Sequence, residues 1–339
     1  MPTVVDLFSG LGGLSTGFEN AGFETVWAVD NEPQVETTFN LNHSCNVVIE
    51  DVRKLDVPKL NPDVVVGGPP CPTFSSMGRS VMNGGVSDKD TKIDERTSLY
   101  KEFLRFVDQM RPSVFVMENV SGMLSATFKN GNGVADQIKA EMESLGYNVR
   151  YQLLNAADFG VPQHRKRLFF VGFESGVPPL IENWKSHRKP KTQQETKLHF
   201  ETRQTSKASR FFNKKSPPRF PHYSRNSTLK PWNTFADAVM DLPFATEVSS
   251  TNYQIPPFTE FQRWARIGSE TVRNHKRRSS SLRQLQRYKL LGAATSYTIG
   301  NLPNHIDEDA EGSGFTDRFR CLDPCKPSVT ITAHIAKDG

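Results

Sequence analysis

The stretch Val64-Val65-Val66-Gly67-Gly68-Pro69-Pro70-Cys71-Pro72-Thr73-Phe74 decides the frame of this chain. Three consecutive valines, preceded by Asp63, read as a short strand buried on both faces of a parallel sheet. Two glycines and two prolines then stop it and set Cys71 just past its carboxyl end. In open α/β sheets, ligands and chemistry gather at that end of the strands. A cysteine on a proline-stiffened loop there is a candidate nucleophile. Taken alone, Cys71 reads more readily as a small packing thiol, because free cysteine is among the most buried residue types. The rest of the chain has to decide.

Working outward, strands alternate with helices. Thr3 to Phe8 reads as a strand, followed by Ser9-Gly10-Leu11-Gly12-Gly13 and a helix over Leu14 to Ala21 closed by Gly22. Further strands are expected at 25–29, 45–49, 113–117, 148–154 and 168–173, with helices at 97–109 and 133–145. This alternation predicts βαβ units and an α/β fold with a doubly wound, mostly parallel sheet. Residues 1–175 are expected to form the catalytic and cofactor-binding domain. A smaller, irregular region follows over 176–325, and 326–339 begins a return to the first domain. The polar, glycine-bearing segment 74–96 is too long for an ordinary connection and predicts a lid or binding loop. A basic helix is expected over 279–291.

The chain has 339 residues, a net charge of +5 and four cysteines. Neither zinc-type spacing nor a disulfide framework is present. No apolar run reaches the roughly 18 residues of a membrane span, and the start lacks the basic region of a signal peptide. A cytoplasmic protein is expected, nucleoid-associated in a bacterium or nuclear in a eukaryote. The charge is uneven: 13 Lys/Arg against two acids over 185–230, and nine against one over 262–289. Such density suggests a polyanionic partner, although a solvated surface gives the same pattern.

The glycine cluster sits between a strand and a helix, with Asp30 eighteen positions after Gly12. Glycines there let the backbone approach a cofactor, and an acid ending the second strand binds ribose hydroxyls. The spacing G-x-G-G departs from the dinucleotide pattern and suits a nucleoside cofactor without a pyrophosphate, such as S-adenosylmethionine. Asp51, ending the third strand, is either an adenine contact or a plain cap. Glu118 and Asn119 end the fifth strand, expected beside the strand that leads to Cys71. A carboxyl group partly desolvated at that edge has its pKa raised and can donate a proton near neutrality. In Gln163-His164-Arg165-Lys166-Arg167, alternation puts Gln163, Arg165 and Arg167 on one face if the segment is extended. Arginines there can hold a phosphate, fix a carbonyl oxygen or favour a thiolate.

Together these pieces resemble the cytosine-5 DNA methyltransferases. Asp6-Leu7-Phe8-Ser9-Gly10-Leu11-Gly12-Gly13 is similar to the family's cofactor motif, and Gly67-Gly68-Pro69-Pro70-Cys71 with Phe74-Ser75 to its nucleophile motif. Glu118-Asn119-Val120 and Gln163-x-Arg165-x-Arg167 match two further motifs in the right order. Pro327-Ser328-Val329-Thr330-Ile331-Thr332 resembles the stretch that returns the chain to the catalytic domain. Pro72 stands where the family usually has glutamine.

The resemblance implies a Rossmann-like fold, double-stranded DNA as substrate, S-adenosyl-L-methionine as methyl donor, S-adenosyl-L-homocysteine as product, and no metal. It implies catalytic roles for Cys71, Glu118, Asn119, Gln163, Arg165 and Arg167. Arg165 is expected to hold the base carbonyl and support the thiolate. Phe8, Gly10, Leu11, Gly12, Gly13, Asp30, Asn31, Asp51, Val52 and Pro70 are the implied cofactor residues. It further implies base flipping, target recognition within 176–325 and a place in a restriction–modification system. The family's last two motifs are expected beyond Gly339, in a missing remainder or a second polypeptide. Three alternatives stand: a transfer-RNA cytosine methyltransferase, a silent DNA-binding homologue and a nicotinamide-dependent oxidoreductase. The first lacks its Cys-Phe-Thr signature here, and the glycine spacing disfavours the last.

Overall fold

A computed structural model of the chain describes residues 1–70, 99–127, 132–174, 187–188, 230–245, 248, 250–273, 275, 282, 285–286 and 322–330. Cys71, the segment 74–96 and most of the basic stretches lie outside these residues. The chain divides into two compact units, 1–154 with 166–182, and 155–165 with 183–339.

The first unit is built on a sheet of β1 (Thr3–Leu7), β2 (Glu24–Asp30), β3 (Val47–Ile49), β4 (Val64–Gly67), β5 (Val114–Val120), β6 (Tyr147–Asn155) and β7 (Lys166–Glu174). Their order is β3-β2-β1-β4-β5-β7-β6. β1 pairs in parallel with β2 and β4, β2 with β3, and β4 with β5. This is the expected mostly parallel, doubly wound α/β sheet. The winding reverses between β1 and β4, where Leu7 lies opposite Gly67. The glycine cluster and the Pro69-Pro70 loop therefore leave the sheet from adjacent strands at its switch point, the position at which such sheets bind ligands.

The valines of β4 are buried as their composition requires, with Val65 and Val66 at 0% exposure. Helices α1 (Gly13–Asn20), α2 (Glu36–Asn42), α3 (Leu99–Met110) and α4 (Val134–Ser144) flank the sheet. α3 buries Tyr100, Phe103, Phe106, Val107 and Met110 at helical spacing, in one core with Val5, Leu7, Val65 and Phe115. Gly67 is required where it stands: a Cβ there would lie 2.6 Å from the Leu7 carbonyl oxygen.

β7 is the exception to the parallel order. It inserts antiparallel beside β5, with Val120 opposite Arg167 and Glu118 opposite Phe169. Antiparallel pairing brings the start of β7 to the rim where the parallel strands end.

In the second unit, α5 (Phe235–Val239) and α6 (Glu260–Ala265) each open with a reciprocal capping box, Thr234 with Asp237 and Thr259 with Gln262. The buried Asp241 pairs with Arg266, whose guanidinium also lies 3.6 Å over the Tyr253 ring. Segment 155–165 belongs with this unit because its backbone is bonded there. Ser328 donates to Pro162 and accepts from His164, the Thr330 hydroxyl donates to the His164 carbonyl, and Trp232 Nε1 donates to Asp158. No helix among the described residues is long and apolar enough to cross a membrane.

Candidate active site

The turn after β1 is shaped by three left-handed residues, Phe8 (φ 57°), Gly10 (φ 55°) and Gly12 (φ 84°). Glycine takes this conformation freely; Phe8 does so at a cost, and such outliers cluster at ligand sites. The turn is tied to β2 at two points. Ser9 N–H donates to the Val29 carbonyl (3.1 Å), and Gly10 N–H donates to Asp30 Oδ2 (2.8 Å). Asp30 Oδ1 accepts a second amide, from Glu32 (2.9 Å). Beneath the turn, buried Asp6 accepts bonds from the Ser15 hydroxyl (2.6 Å) and Ser15 N–H. Burial drives the Asp6 carboxyl up to about 7, and the Ser15 bonds only partly oppose it.

A cavity of about 170 Å³ opens at this rim, lined by Phe8, Val29, Asp30, Asn31, Glu50, Asp51, Val52, Arg53, Pro70 and Leu99. The wall combines an aromatic ring and apolar side chains with three carboxylates at strand ends. That suits a nucleoside, whose base needs an apolar slot and whose hydroxyls need acceptors. Six implied cofactor residues, Phe8, Asp30, Asn31, Asp51, Val52 and Pro70, line it; Gly10, Leu11, Gly12 and Gly13 form or follow the adjoining turn. The sequence reading missed Glu50, Arg53, Val29 and Leu99. Charge at the end of β3 marked the first two, while Val29 and Leu99 carried no signal beyond apolarity.

Asp51 is already occupied. It caps the turn Val52–Lys54 by accepting from Arg53 N–H, and it binds the Arg53 side chain at 2.6 Å. The Arg53 hydrogen bonds hold its carboxyl down at about 2.

On β5 the Glu118 side chain is about three-quarters buried, with Oε1 2.9 Å from Arg167 Nε. Asn119 is turned away into the protein. Its Nδ2 donates to the Pro69 carbonyl (3.2 Å), fastening β5 to the loop that leads into Cys71. The alternation expected over 163–167 begins only at Lys166, where β7 starts. Arg167 therefore meets Glu118, whereas Gln163 bridges to Ser328 and exposed Arg165 falls in the second unit. Among the described residues no His, Cys, Asp and Glu cluster has the makings of a metal site.

A family model described as C-5 cytosine-specific DNA methylase matches residues 2–301. The chain belongs to this family. It is 32% identical to the type II methyltransferase M.DdeI of Desulfomicrobium norvegicum, across 97% of this chain and 72% of the relative. It is also 32% identical to the type II methyltransferase M.AgeI of Thalassovita gelatinovora, across 99% of this chain and 76% of that one. A solved structure assigned as a prophage-encoded E. coli DNA modification methyltransferase has the same fold. Its TM-score is 0.62 at 21% identity, covering 97% of this chain and 82% of that one.

Proposed function

We propose that this family member transfers a methyl group from S-adenosylmethionine to carbon 5 of cytosine in a specific double-stranded DNA sequence. The observation that carries the reading is the Glu118–Arg167 pair at the rim, beside a loop fastened by Asn119 that runs directly into Cys71. The cavity with the aromatic, apolar and carboxylate wall adjoins it through Pro70. The cofactor supplies an electrophilic methyl group; the chain's own residues do the rest.

The Cys71 thiolate adds to carbon 6 of the base, forming a carbon–sulfur bond and moving an electron pair toward carbon 5. Glu118, as the acid, holds ring nitrogen 3 and the exocyclic amine, making carbon 6 electrophilic. The base carbonyl contact expected of Arg165 is better served by Arg167, whose guanidinium already lies against the Glu118 carboxyl. Asn119 acts on backbone, by holding the Pro69 carbonyl. After methylation, loss of the carbon 5 proton returns electrons to the ring and expels Cys71. The base is unreachable inside a duplex, so it is flipped out at a cost of a few kcal/mol. Basic residues of the second unit contact phosphates, which position the protein and carry no sequence information directly.

Bisulfite sequencing of DNA from cells expressing the chain tests this, with Cys71→Ser as control. The expected result is protected cytosines in one sequence context, lost in the variant. Protection that survives in Cys71→Ser refutes the nucleophile.

A further inference from the structure

His43 follows α2 and carries none of the roles above, yet its imidazole is placed under the glycine turn. Its side chain is 1% exposed. Nδ1 lies 2.8 Å from Glu19 Oε2 on α1, and the ring packs on Phe39 at 4.4 Å between centroids. The far edge of the ring faces Gly12: a Cβ added to Gly12 would lie 2.0 Å from Nε2. Nε2 is buried and has no hydrogen-bond partner. A carboxylate only accepts, so Nδ1 is the donor to Glu19, and Nε2 is the edge turned toward the glycine.

A buried ring nitrogen without a partner is costly. A histidine kept only for its Glu19 bond does not need its other edge against main chain. Gly12 is left-handed, its N–H closes the turn onto the Ser9 carbonyl, and its carbonyl accepts from Thr16 to start α1. Whatever limits Gly12 therefore limits both the turn and the helix behind it. We infer that His43 is a positioning residue: held by Glu19, it braces Gly12 from below and fixes the turn Phe8–Gly12 in its cofactor-accepting shape. This rests on the proposed use of S-adenosylmethionine.

Two conservative variants separate bracing from folding. Asparagine places its amide nitrogen where Nδ1 sits, so His43→Asn keeps the Glu19 bond and withdraws from Gly12. Glutamine reaches the Nε2 position, so His43→Gln keeps the contact with Gly12 and gives up the Glu19 bond. Melting temperature and calorimetric affinity for S-adenosylmethionine are measured on the full chain. The expected ranking is crossed: His43→Asn melts nearer to wild type yet binds about tenfold more weakly, because a site whose supporting shell is slack loses its geometry. His43→Gln melts lower yet binds better than His43→Asn. Affinities that follow melting temperature in both variants overturn the inference and leave the proposed function intact. A wild-type chain that binds no S-adenosylmethionine removes both.

Discussion

Glu118 and Arg167 are diagonal partners across an antiparallel pair, one ending β5 and the other beginning β7, with Oε1 and Nε 2.9 Å apart. Each depends on the other for geometry. Arg167→Ala is expected to lower the single-turnover methylation rate by about 10²–10³-fold, the usual effect of losing one positioned donor. Cofactor affinity should hold. Arg167→Lys keeps the charge but not the planar fork and should fall between. A rate near wild type for Arg167→Ala ends this assignment.

Asp30 accepts two backbone amides, from Gly10 and Glu32, one on each oxygen. Asparagine offers one oxygen, so either flip leaves one N–H facing an NH₂ group. Asp30→Asn should weaken S-adenosylmethionine binding by about tenfold, since an orphaned donor costs roughly 1–3 kcal/mol. Titration calorimetry checks it; unchanged affinity shows the turn to be held by other means.

Stability should carry the mark of Asp6. Its folded pKa, about 7, lies above its ordinary value of 3.8. The folded state therefore keeps a proton that the unfolded state releases. That contribution is complete below about pH 4 and is lost as pH rises through about 7, a change on the order of 1–4 kcal/mol. Other carboxyl groups titrate in the opposite sense, so the comparison is with Asp6→Asn. Urea midpoints across this window should fall more in wild type than in the variant. Parallel profiles would rule out titration of Asp6 there.

Gly67→Ala puts a methyl 2.6 Å from the Leu7 carbonyl and 3.1 Å from the Phe103 ring. Neither yields easily, and overpacking of this kind costs about 1–3 kcal/mol. Gly68→Ala meets Glu118 at ordinary contact distance, Oε2 at 3.4 Å and the carbonyl oxygen at 4.0 Å. Thermal melting should separate the two, with Gly67→Ala clearly lower; equal melting temperatures contradict the close contact.

Much of the first unit was readable in advance. Continuous valine runs, helical spacing in 99–110 and glycines at element ends are local signals, and they placed β4, α3 and the turn before α1. The reversed direction of β7 was not readable. Nothing in Leu168-Phe169-Phe170-Val171 tells a parallel strand from an antiparallel one, because both bury an apolar run. The choice of Arg167 over Arg165 at Glu118 depends on that direction and on where the strand starts. His43 gave no signal either, because what it touches, Gly12, lies 31 positions away in sequence.

Gly67 also sets a scale. The turn around the cavity and the loop entering Cys71 depart from neighbouring strands whose gap is fixed by main chain, since no side chain fits between them. Exchanging groups around the opening can retune what is gripped, but the span from one loop to the other is a ruler cut into the backbone.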